Sequence, residues 1–174
     1  MLRVRDAVND EAVRLRRAVR ADLPSITKIY NEAILTTTAT FDTKPQTVRR
    51  GAAWFRKHGK RHPIIVAEVD GAVIGWVCLS PWSDREAYKI TGETSFYVYS
   101  KFRGRGIGRK LKRSIIAEAR RLGFRSLIAR VADGSNASLH LNEATGFERV
   151  GTLKQVGRKF GRLLDVHILQ KMLR

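Results

Sequence analysis

A short stretch of the chain, residues 103–108, combines three glycines with two arginines and reads RGRGIG. Glycine allows a ligand to approach the backbone closely, and the first N–H groups of a helix have no partner within that helix. A glycine-rich turn that opens a helix therefore directs free N–H groups and the positive end of the helix dipole toward one place. Arg109 and Lys110 follow at once and add positive charge. The stretch is predicted to bind phosphate groups.

Three kinds of phosphate-binding loop differ in their glycine spacing. A Walker A loop ends in Gly-Lys followed by Ser or Thr, whereas Gly108 is followed by Arg109 and Lys110. A dinucleotide-binding fingerprint needs GxGxxG, whereas the glycines here stand at 104, 106 and 108. The third pattern, RxxGxG, fits residues 103–108. A glycine turn that only starts a solvent-exposed basic helix is the alternative without a ligand.

The elements that hold this loop are predicted from hydrophobic periodicity and turn residues. A strand leads into the loop, and a helix with apolar residues on one face leads out of it and ends before Gly123. Two β-rich runs joined at Asp70-Gly71 predict a hairpin. The predicted elements are strands at 13–18, 64–69, 72–79, 95–99, 126–131, 147–153 and 163–169, and helices at 23–33 (capped by Asp22), 47–58, 104–122 and 137–144. Helices between central strands, with hairpins on both sides, predict one α/β domain with a mixed sheet.

Length and composition narrow the class of protein. The 174 residues, 43% of them hydrophobic and 8% aromatic, suit one globular domain and not a mainly disordered chain. Residues 12–174 are predicted to form that domain, and residues 1–11 a polar extension. The net charge of +18 favours anionic ligands. No apolar run approaches the roughly 20 residues that span a bilayer, and the start lacks the apolar core of a secretory signal, so a cytoplasmic protein without a membrane partner is expected.

The cysteine and histidine content argues against disulfide and metal chemistry. Cys78 is the one cysteine, which excludes an intrachain disulfide and a multi-thiolate metal site, and it is predicted to be a small core residue. The four histidines lack the spacing and the carboxylate partners of a metal site. No metal cofactor is therefore expected.

The features around residues 103–108 resemble the GNAT acetyltransferase superfamily, whose diphosphate loop reads RxxGxG. In that superfamily the helix after the loop leads to another strand, and a short helix then begins near an Asn and ends at Gly-Phe. Residues 126–131, Asn136 and Gly146-Phe147 stand in that order here. The resemblance implies a GNAT fold, with a mixed, partly splayed sheet flanked by helices. It also implies that acetyl-CoA binds, with backbone groups of residues 96–98 free to pair with its pantetheine arm.

Longer motifs resemble the phosphinothricin and methionine sulfoximine N-acetyltransferase family over nearly the whole chain from about residue 15. The motifs are YNEA at 30–33, TTTATFDT at 36–43, VAEVDG at 66–71, PW at 81–82, TxExSxYV at 91–98 and VGRKFG at 156–161. The resemblance implies an enzyme that transfers acetyl from acetyl-CoA to the α-amino group of a small amino acid or analogue, of the phosphinothricin or methionine sulfoximine type. It also implies a homodimer.

The resemblance assigns roles to single residues. Glu93 is the predicted general base, because an amine attacks the thioester carbonyl only when it is neutral, and an ammonium therefore needs a proton acceptor. Arg85 suits an amino-acid carboxylate, to which it can donate two parallel hydrogen bonds. The predicted substrate-binding residues are Phe41, Arg85, Glu86, Ala87, Tyr88 and Glu93. The predicted cofactor-binding residues are Phe96, Tyr97, Val98, Arg103, Gly104, Arg105, Gly106, Ile107, Gly108, Arg109, Ser135 and Asn136.

The sequence departs from the family pattern at several positions. The family has Asn eleven residues before the Gly of Gly-Phe, where this chain has Ser135, with Asn136 one place later. His or Tyr stands four residues before that Gly and can act as a general acid, whereas Asn142 cannot donate a titrating proton. His140 is predicted to face the other way, because two residues turn a helix by about 200°. Gly92 directly precedes the base. The leaving thiolate is stable enough for an enzyme without this acid.

Two other functions remain open. A GNAT enzyme could acetylate a protein N-terminus, a ribosomal protein or an aminoglycoside, which an acidic and open groove would favour. A non-catalytic nucleic-acid-binding domain would use the charge of +18 in salt-sensitive binding. The basic residues are spread along the chain without a block of interleaved aromatic residues, so a nucleic-acid partner is not expected.

Overall fold

A computed structural model describes residues 13–173, and the predicted extension at residues 1–11 lies outside them. The strands are β1 (Arg14–Arg17), β2 (Ile64–Val69), β3 (Ala72–Pro81), β4 (Thr91–Val98), β5 (Ser126–Ala132), β6 (Glu148–Lys159) and β7 (Arg162–Met172). The α-helices are α1 (Leu23–Thr36), α2 (Val48–Arg56), α3 (Ile107–Arg121) and α4 (Asn136–Ala144). Short 3-10 turns lie at Arg20–Asp22, Glu86–Ile90 and Ser100–Phe102. Within residues 13–173, no helix is long and apolar enough to cross a membrane.

The seven strands form one open sheet in the order β1-β2-β3-β4-β5-β7-β6. Neighbouring strands are antiparallel except β4 and β5, which are parallel and are connected through α3. The predicted α/β domain with a mixed sheet is confirmed. The last two strands are longer than predicted, because β6 and β7 remain paired up to the tight turn at Phe160-Gly161, where both residues have positive φ.

Helices cover both faces of the sheet. On one face α3 buries an apolar stripe, and its Leu111 and Ile115 belong to the same fully buried cluster as Val77 and Leu127 of the strands. On the other face α1 and α2 pack over a second cluster that contains Trp76 of β3. Successive side chains of a strand point to opposite faces. The side chains of β4 are therefore divided between the α3 side and the α1 side of the sheet.

Asp22, predicted to cap α1, instead stabilises the turn that precedes the helix. Its carboxylate accepts hydrogen bonds from the N–H of Val19 at 2.8 Å and from both terminal nitrogens of Arg16 at 2.7 and 2.8 Å. Arg16 also donates through Nε to Glu68 of β2 at 2.7 Å. The hydrogen bond from Arg16 lowers the pKa of Asp22. These ion pairs connect the turn that precedes α1 to strands β1 and β2 at the edge of the sheet.

Candidate active site

β4 and β5 are paired over only part of their length. The paired residues are Thr91 with Ser126, Gly92 with Leu127 and Glu93 with Ile128. β4 continues to Val98 and β5 to Ala132, so the two strands diverge beyond Glu93, which confirms the predicted splay. A cavity of about 650 Å³ opens between the diverging strands, and we call it the split cavity. Among residues 13–173, no strand pairs with this side of β4 beyond Glu93.

The glycine-rich loop forms part of the wall of the split cavity. Gly104 and Gly106 both have a φ of 75°, in the left-handed region that favours glycine, and Gly106 is the N-terminal cap of α3. Gly108 lies in the first turn of α3, where an added Cβ would meet Leu141 of α4 at 3.0 Å. Glycine therefore stands where the turn or the close approach of α4 requires it.

All but one of the predicted cofactor-binding residues line the split cavity. They are Phe96, Tyr97, Val98, Arg103, Gly104, Gly106, Ile107, Gly108, Arg109, Ser135 and Asn136. Arg105 is not a lining residue, and its guanidinium lies 5.6 Å from the centre of the Phe102 ring. Arg103 donates through Nε to Val98 O at 2.9 Å, and a terminal nitrogen lies 3.6 Å from Glu32 Oε2. Arg103 therefore ties the loop to the end of β4.

The sequence predicts that Glu93 lies just before the central strand. In the structure, Glu93 instead lies within β4. β4 begins at Thr91 because its first residues pair with both β3 and β5. Glu93 is the last residue of β4 that pairs with β5, and its side chain is 14% exposed. The guanidinium of Arg130 on β5 donates to both carboxylate oxygens, at 2.6 and 2.9 Å. The predicted base thus stands where the strands split, held by an arginine that the sequence analysis missed.

A buried lysine lies behind the same point. Lys112 of α3 has no exposed surface, and its Nζ donates to Thr94 Oγ1 at 2.6 Å. The same hydroxyl donates to Ile128 O at 3.4 Å, so it connects α3 and β4 to β5 beside the split. Nζ also lies 4.1 Å from the centre of the Phe147 ring. Burial lowers the pKa of Lys112 to about 7, because the charged amine loses its solvation in the core.

Three of the residues at which the chain departs from the family pattern lie on α4 or directly before it. Ser135 directly precedes α4, Asn136 is its first residue, and both line the split cavity. Asn142 also lines it, is 1% exposed, and donates through Nδ2 to Ser138 O at 2.9 Å. His140, predicted to face away, lines the cavity as an exposed residue. The exposed His140 and the buried Asn142 differ in direction as the rotation argument expects, and the cavity contacts α4 on more than one face.

The residues predicted to bind substrate from the connection between β3 and β4 are exposed. They are Arg85, Glu86, Ala87 and Tyr88. Arg85 is the residue before the short 3-10 turn, and Glu86 forms an ion pair with Lys89 within that turn. None of the four residues lines the split cavity. Their contacts with a substrate stay predictions.

Phe41, also predicted to bind substrate, lies in the loop between α1 and α2 and is 39% exposed. Its ring packs against Gly157 of β6, where an added Cβ would overlap it. Lys159 of the same strand is 4% exposed and donates through Nζ to Thr40 O at 2.7 Å. The hydroxyls of Tyr30 and Thr40 lie 2.8 Å apart. The loop is therefore fixed both to α1 and to the last hairpin.

A second cavity, of about 140 Å³, lies among α1, α2, β3 and β4. We call it the aromatic cavity, because its walls include the rings of Tyr30, Trp54, Trp76 and Tyr97. Its other wall residues are Ile26, Thr27, Gln46, Gly51, Cys78, Ser80 and Ser95. Ser95 and Tyr97 line both cavities and therefore stand between them.

The described residues offer no metal centre, and the cysteine is a poor nucleophile. Cys78 is buried, and burial raises the pKa of its thiol to about 11. Within residues 13–173, no group of three or more His, Cys, Asp or Glu side chains could hold a metal ion. The role of Glu93 as the general base stays a prediction.

Two parallel strands that split beside a glycine-rich loop, with a glutamate at the split, define an acyltransferase of the GNAT type. The chain belongs to the Acetyltransferase (GNAT) family, whose sequence profile matches residues 26–147. It is therefore an enzyme that transfers acetyl to an amine. The alternative of a non-catalytic nucleic-acid-binding domain is set aside.

Individual proteins are similar to this chain over most of its length. The chain is similar to the L-methionine sulfoximine/L-methionine sulfone acetyltransferase of Pseudomonas aeruginosa, with 38% identity over 90% of this chain and 92% of that protein. A crystal structure of a phosphinothricin acetyltransferase from Sinorhizobium meliloti in complex with AcCoA has a TM-score of 0.90 at 38% identity, over 93% of this chain and 89% of that one. A ribosomal-protein-alanine N-acetyltransferase from Brucella melitensis has a TM-score of 0.88 at 40% identity, over 92% and 99%. The resemblance to phosphinothricin and methionine sulfoximine N-acetyltransferases is confirmed.

Proposed function

We propose that this enzyme transfers the acetyl group of acetyl-CoA to the α-amine of a small amino acid of the phosphinothricin or methionine sulfoximine type. The observation that carries the proposal is the position of Glu93, at the point where β4 and β5 split to form the larger cavity. The names of the similar Pseudomonas and Sinorhizobium enzymes support this class of acceptor.

The residues of the split cavity suit acetyl-CoA. Gly104 and Gly106 turn the backbone at the start of α3, where helix amides and Arg109 favour a diphosphate. The side of residues 95–98 that faces β5 offers backbone groups to a pantetheine arm, as a neighbouring strand would. When bound, acetyl-CoA supplies a thioester whose carbonyl carbon accepts the amine.

The proposed reaction is a direct attack. Glu93 accepts a proton from the substrate ammonium, directly or through one water, and so provides the neutral amine. The amine nitrogen forms a bond to the carbonyl carbon, the carbon–sulfur bond breaks, and the thiolate leaves with the electron pair. The nitrogen releases a second proton, which passes through solvent to the thiolate, because Asn142 cannot donate one.

The acceptor is proposed to enter from the exposed side of Glu93. Arg85 would bind its carboxylate through two parallel hydrogen bonds. Glu86, Ala87 and Tyr88 follow Arg85 on the same exposed turn, and Phe41 lies on the loop between α1 and α2. These side chains would surround the acceptor while Glu93 faces its amine.

Acetylation of a protein N-terminus is the second candidate. The observation that favours it is the 40% identity to the Brucella ribosomal-protein-alanine N-acetyltransferase. The net charge of +18 argues against a basic protein as the acceptor, because like charges slow the encounter of two proteins. The small-molecule acceptor is therefore the first choice.

A thiol-release assay with acetyl-CoA and a panel of acceptors distinguishes the two candidates. The panel contains methionine sulfoximine, methionine sulfone, phosphinothricin and a peptide with an N-terminal alanine. We expect at least one amino-acid analogue to exceed the peptide in kcat/KM by about 100-fold. Faster release with the peptide would reverse the assignment, and release with none of the four would contradict the proposal.

Gly106→Val should weaken the binding of acetyl-CoA. Valine is strongly disfavoured at a φ of 75°, so it strains or rearranges the turn at a cost of about 1–3 kcal/mol. We expect the KM for acetyl-CoA to rise about 10-fold, with a smaller change in kcat. Gly59→Val is the matched control, because an added Cβ there meets nothing within 4 Å and Gly59 is outside the split cavity. An unchanged KM in Gly106→Val would remove the loop from the proposed binding site.

We also propose a homodimer that forms through the hairpin of β6 and β7. β6 is an edge strand, and nine of its twelve residues are exposed. The apolar residues of this hairpin that are 48–58% exposed are Val150, Leu153, Val156, Phe160, Leu163 and Met172. An apolar edge of this kind is typical of an interaction surface.

The mass in solution tests the proposed homodimer. Sedimentation should give twice the mass of the chain, and Val156→Lys should lower the measured mass toward that of the monomer. A parent protein that stays monomeric at all concentrations would contradict this proposal.

A further inference from the structure

The aromatic cavity carries a polar group that the proposed reaction does not use. Trp76 of β3 lines the cavity and is 4% exposed, and its indole Nε1–H has no hydrogen-bond partner among the described protein atoms. Buried polar groups in native proteins nearly always have a partner, because an unpaired donor loses its hydrogen bonds to water without compensation. Residues 13–173 therefore supply no hydrogen-bond partner for this donor.

The walls of the aromatic cavity are built from mutually packed rings. The ring centres lie 4.9 Å apart for Trp76 and Tyr97, 5.4 Å for Trp54 and Trp76, and 5.0 Å for Tyr30 and Tyr97. Aromatic contacts of this kind hold side chains in place at low entropic cost. The cavity is therefore a fixed space with apolar, polarizable walls, which suit methylene groups and sulfur.

The aromatic cavity is adjacent to the reacting groups. Ser80, one of its wall residues, lies directly opposite Glu93 in the pairing of β3 with β4. Ser95 and Tyr97 separate it from the cavity proposed for acetyl-CoA. A molecule whose amine lies near Glu93 can therefore place its side chain among the rings.

The volume limits the size of that side chain. The cavity of about 140 Å³ corresponds to about five water molecules in the liquid, at roughly 30 Å³ each. A side chain of a similar number of non-hydrogen atoms fits, whereas the body of a peptide does not. Trp76, which lines this cavity, carries the unpaired Nε1–H.

We propose that the aromatic cavity binds the side chain of the acceptor, and that Trp76 Nε1 donates a hydrogen bond to an oxygen near the end of an unbranched side chain, such as that of a sulfone or a sulfoximine. This inference rests on the proposed function and deepens it. Trp76 is then a specificity-determining residue. It favours an oxidised sulfur side chain over the thioether of the same length, because the thioether leaves the donor unpaired.

Two variants and two substrates test this role. Trp76→Phe keeps a ring and removes the donor, and Trp54→Phe is the matched control, because it removes an indole from the same wall. Methionine sulfone and methionine share one carbon skeleton and differ in the sulfone oxygens. We expect Trp76→Phe to lower kcat/KM for the sulfone about 5- to 10-fold more than for methionine. For a compound that is not turned over, Ki replaces kcat/KM.

The control and the cofactor separate this role from general damage. We expect Trp54→Phe to change kcat/KM by the same factor for both substrates. The KM for acetyl-CoA should stay within about 2-fold of the parent value in both variants. An equal loss of kcat/KM for the two substrates in Trp76→Phe would overturn the assignment of Trp76 Nε1 as the donor to the side-chain oxygen. Absence of acetyl transfer from the parent enzyme to every amino-acid analogue would instead contradict the proposed function.

Discussion

Glu93→Gln should lower kcat by about 100- to 1,000-fold and leave the Kd for acetyl-CoA within about 2-fold. The amide has nearly the shape of the carboxylate but cannot take up a proton at neutral pH. It keeps one oxygen that can accept from Arg130, which holds Glu93 at 2.6 and 2.9 Å in the parent. Glu93 does not line the split cavity, so acetyl-CoA should bind normally. Thiol release and equilibrium titration with the cofactor measure the two quantities.

The dependence on pH distinguishes a base from a group that only binds the acceptor. Without the base, the reaction draws on the small neutral fraction of the free amine. That fraction rises about tenfold per pH unit below the pKa of the amine. We expect kcat/KM of Glu93→Gln to rise about tenfold from pH 6 to pH 7, more steeply than in the parent. A raised KM for the acceptor without this recovery would assign Glu93 to binding.

Glu118→Gln is the matched control for this substitution. The side chain of Glu118 is 17% exposed, close to the 14% of Glu93, and it is also paired with arginines, Arg17 and Arg121. It lies on α3 and lines neither cavity. We expect its kcat to stay within about 2-fold of the parent. A comparable loss in Glu118→Gln would mean that breaking any such ion pair slows the enzyme.

Lys112→Met should raise the free energy of unfolding at pH 7 by about 2–4 kcal/mol. Burial lowers the pKa of Lys112 from 10.5 to about 7. At about 1.4 kcal/mol per pH unit, this corresponds to a cost of about 5 kcal/mol in the folded state. The lost contacts with Thr94 and Phe147 offset part of the gain. Methionine fills a similar volume and needs no solvation. Unfolding in urea, monitored by circular dichroism, measures the difference in the free energy of unfolding between Lys112→Met and the parent.

The pH dependence of stability tests the same explanation. The unfolded chain holds the Lys112 proton up to a pKa of 10.5, whereas the folded chain holds it only below about 7. Between these values the unfolded state binds one more proton, so stability rises with pH by about 1.4 kcal/mol per pH unit. Below pH 7 both states bind the proton, and the slope vanishes. This slope between pH 7 and pH 9 should be missing in Lys112→Met.

Arg113→Met is the control, because it removes one positive charge from an exposed neighbour on the same helix. We expect it to keep the slope of the parent and to change the free energy of unfolding by less than about 0.5 kcal/mol. A Lys112→Met protein that is less stable than the parent at pH 7 would contradict the account of the buried amine. An equal slope of the free energy of unfolding against pH in Lys112→Met and in the parent would also contradict this account.

The conformation of the glycine-rich loop could be predicted from the sequence because its signals are local. A positive φ at Gly104 and Gly106 and the start of a helix depend on neighbouring residues. The partner of Glu93 could not be predicted in this way. Arg130 is 37 residues away, and its contact depends on the register of β4 against β5, which no local pattern encodes. A charged residue within an otherwise apolar predicted strand was the available signal.

The buried lysine was missed for a different reason. Hydrophobic periodicity predicts that Leu111 and Ile115 lie on the inner face of the helix, and it assigns no role to Lys112. Lys112 lies three residues before Ile115 and four before Ile116, both of which are buried, so helical geometry alone puts it on the inner face. What the sequence could not supply is the partner that makes burial tolerable, the hydroxyl of Thr94 on β4.

Lys159 and Gly157 of β6 hold Thr40 and Phe41 in place, although Lys159 and Thr40 are 119 residues apart in the chain. The strand that does this also carries the apolar edge proposed to join two subunits. Separation of the subunits would expose that strand to solvent and weaken its contacts with the loop that is proposed to surround the acceptor. Dilution would then weaken the binding of the acceptor, even though the groups proposed to take part in the reaction lie within one chain.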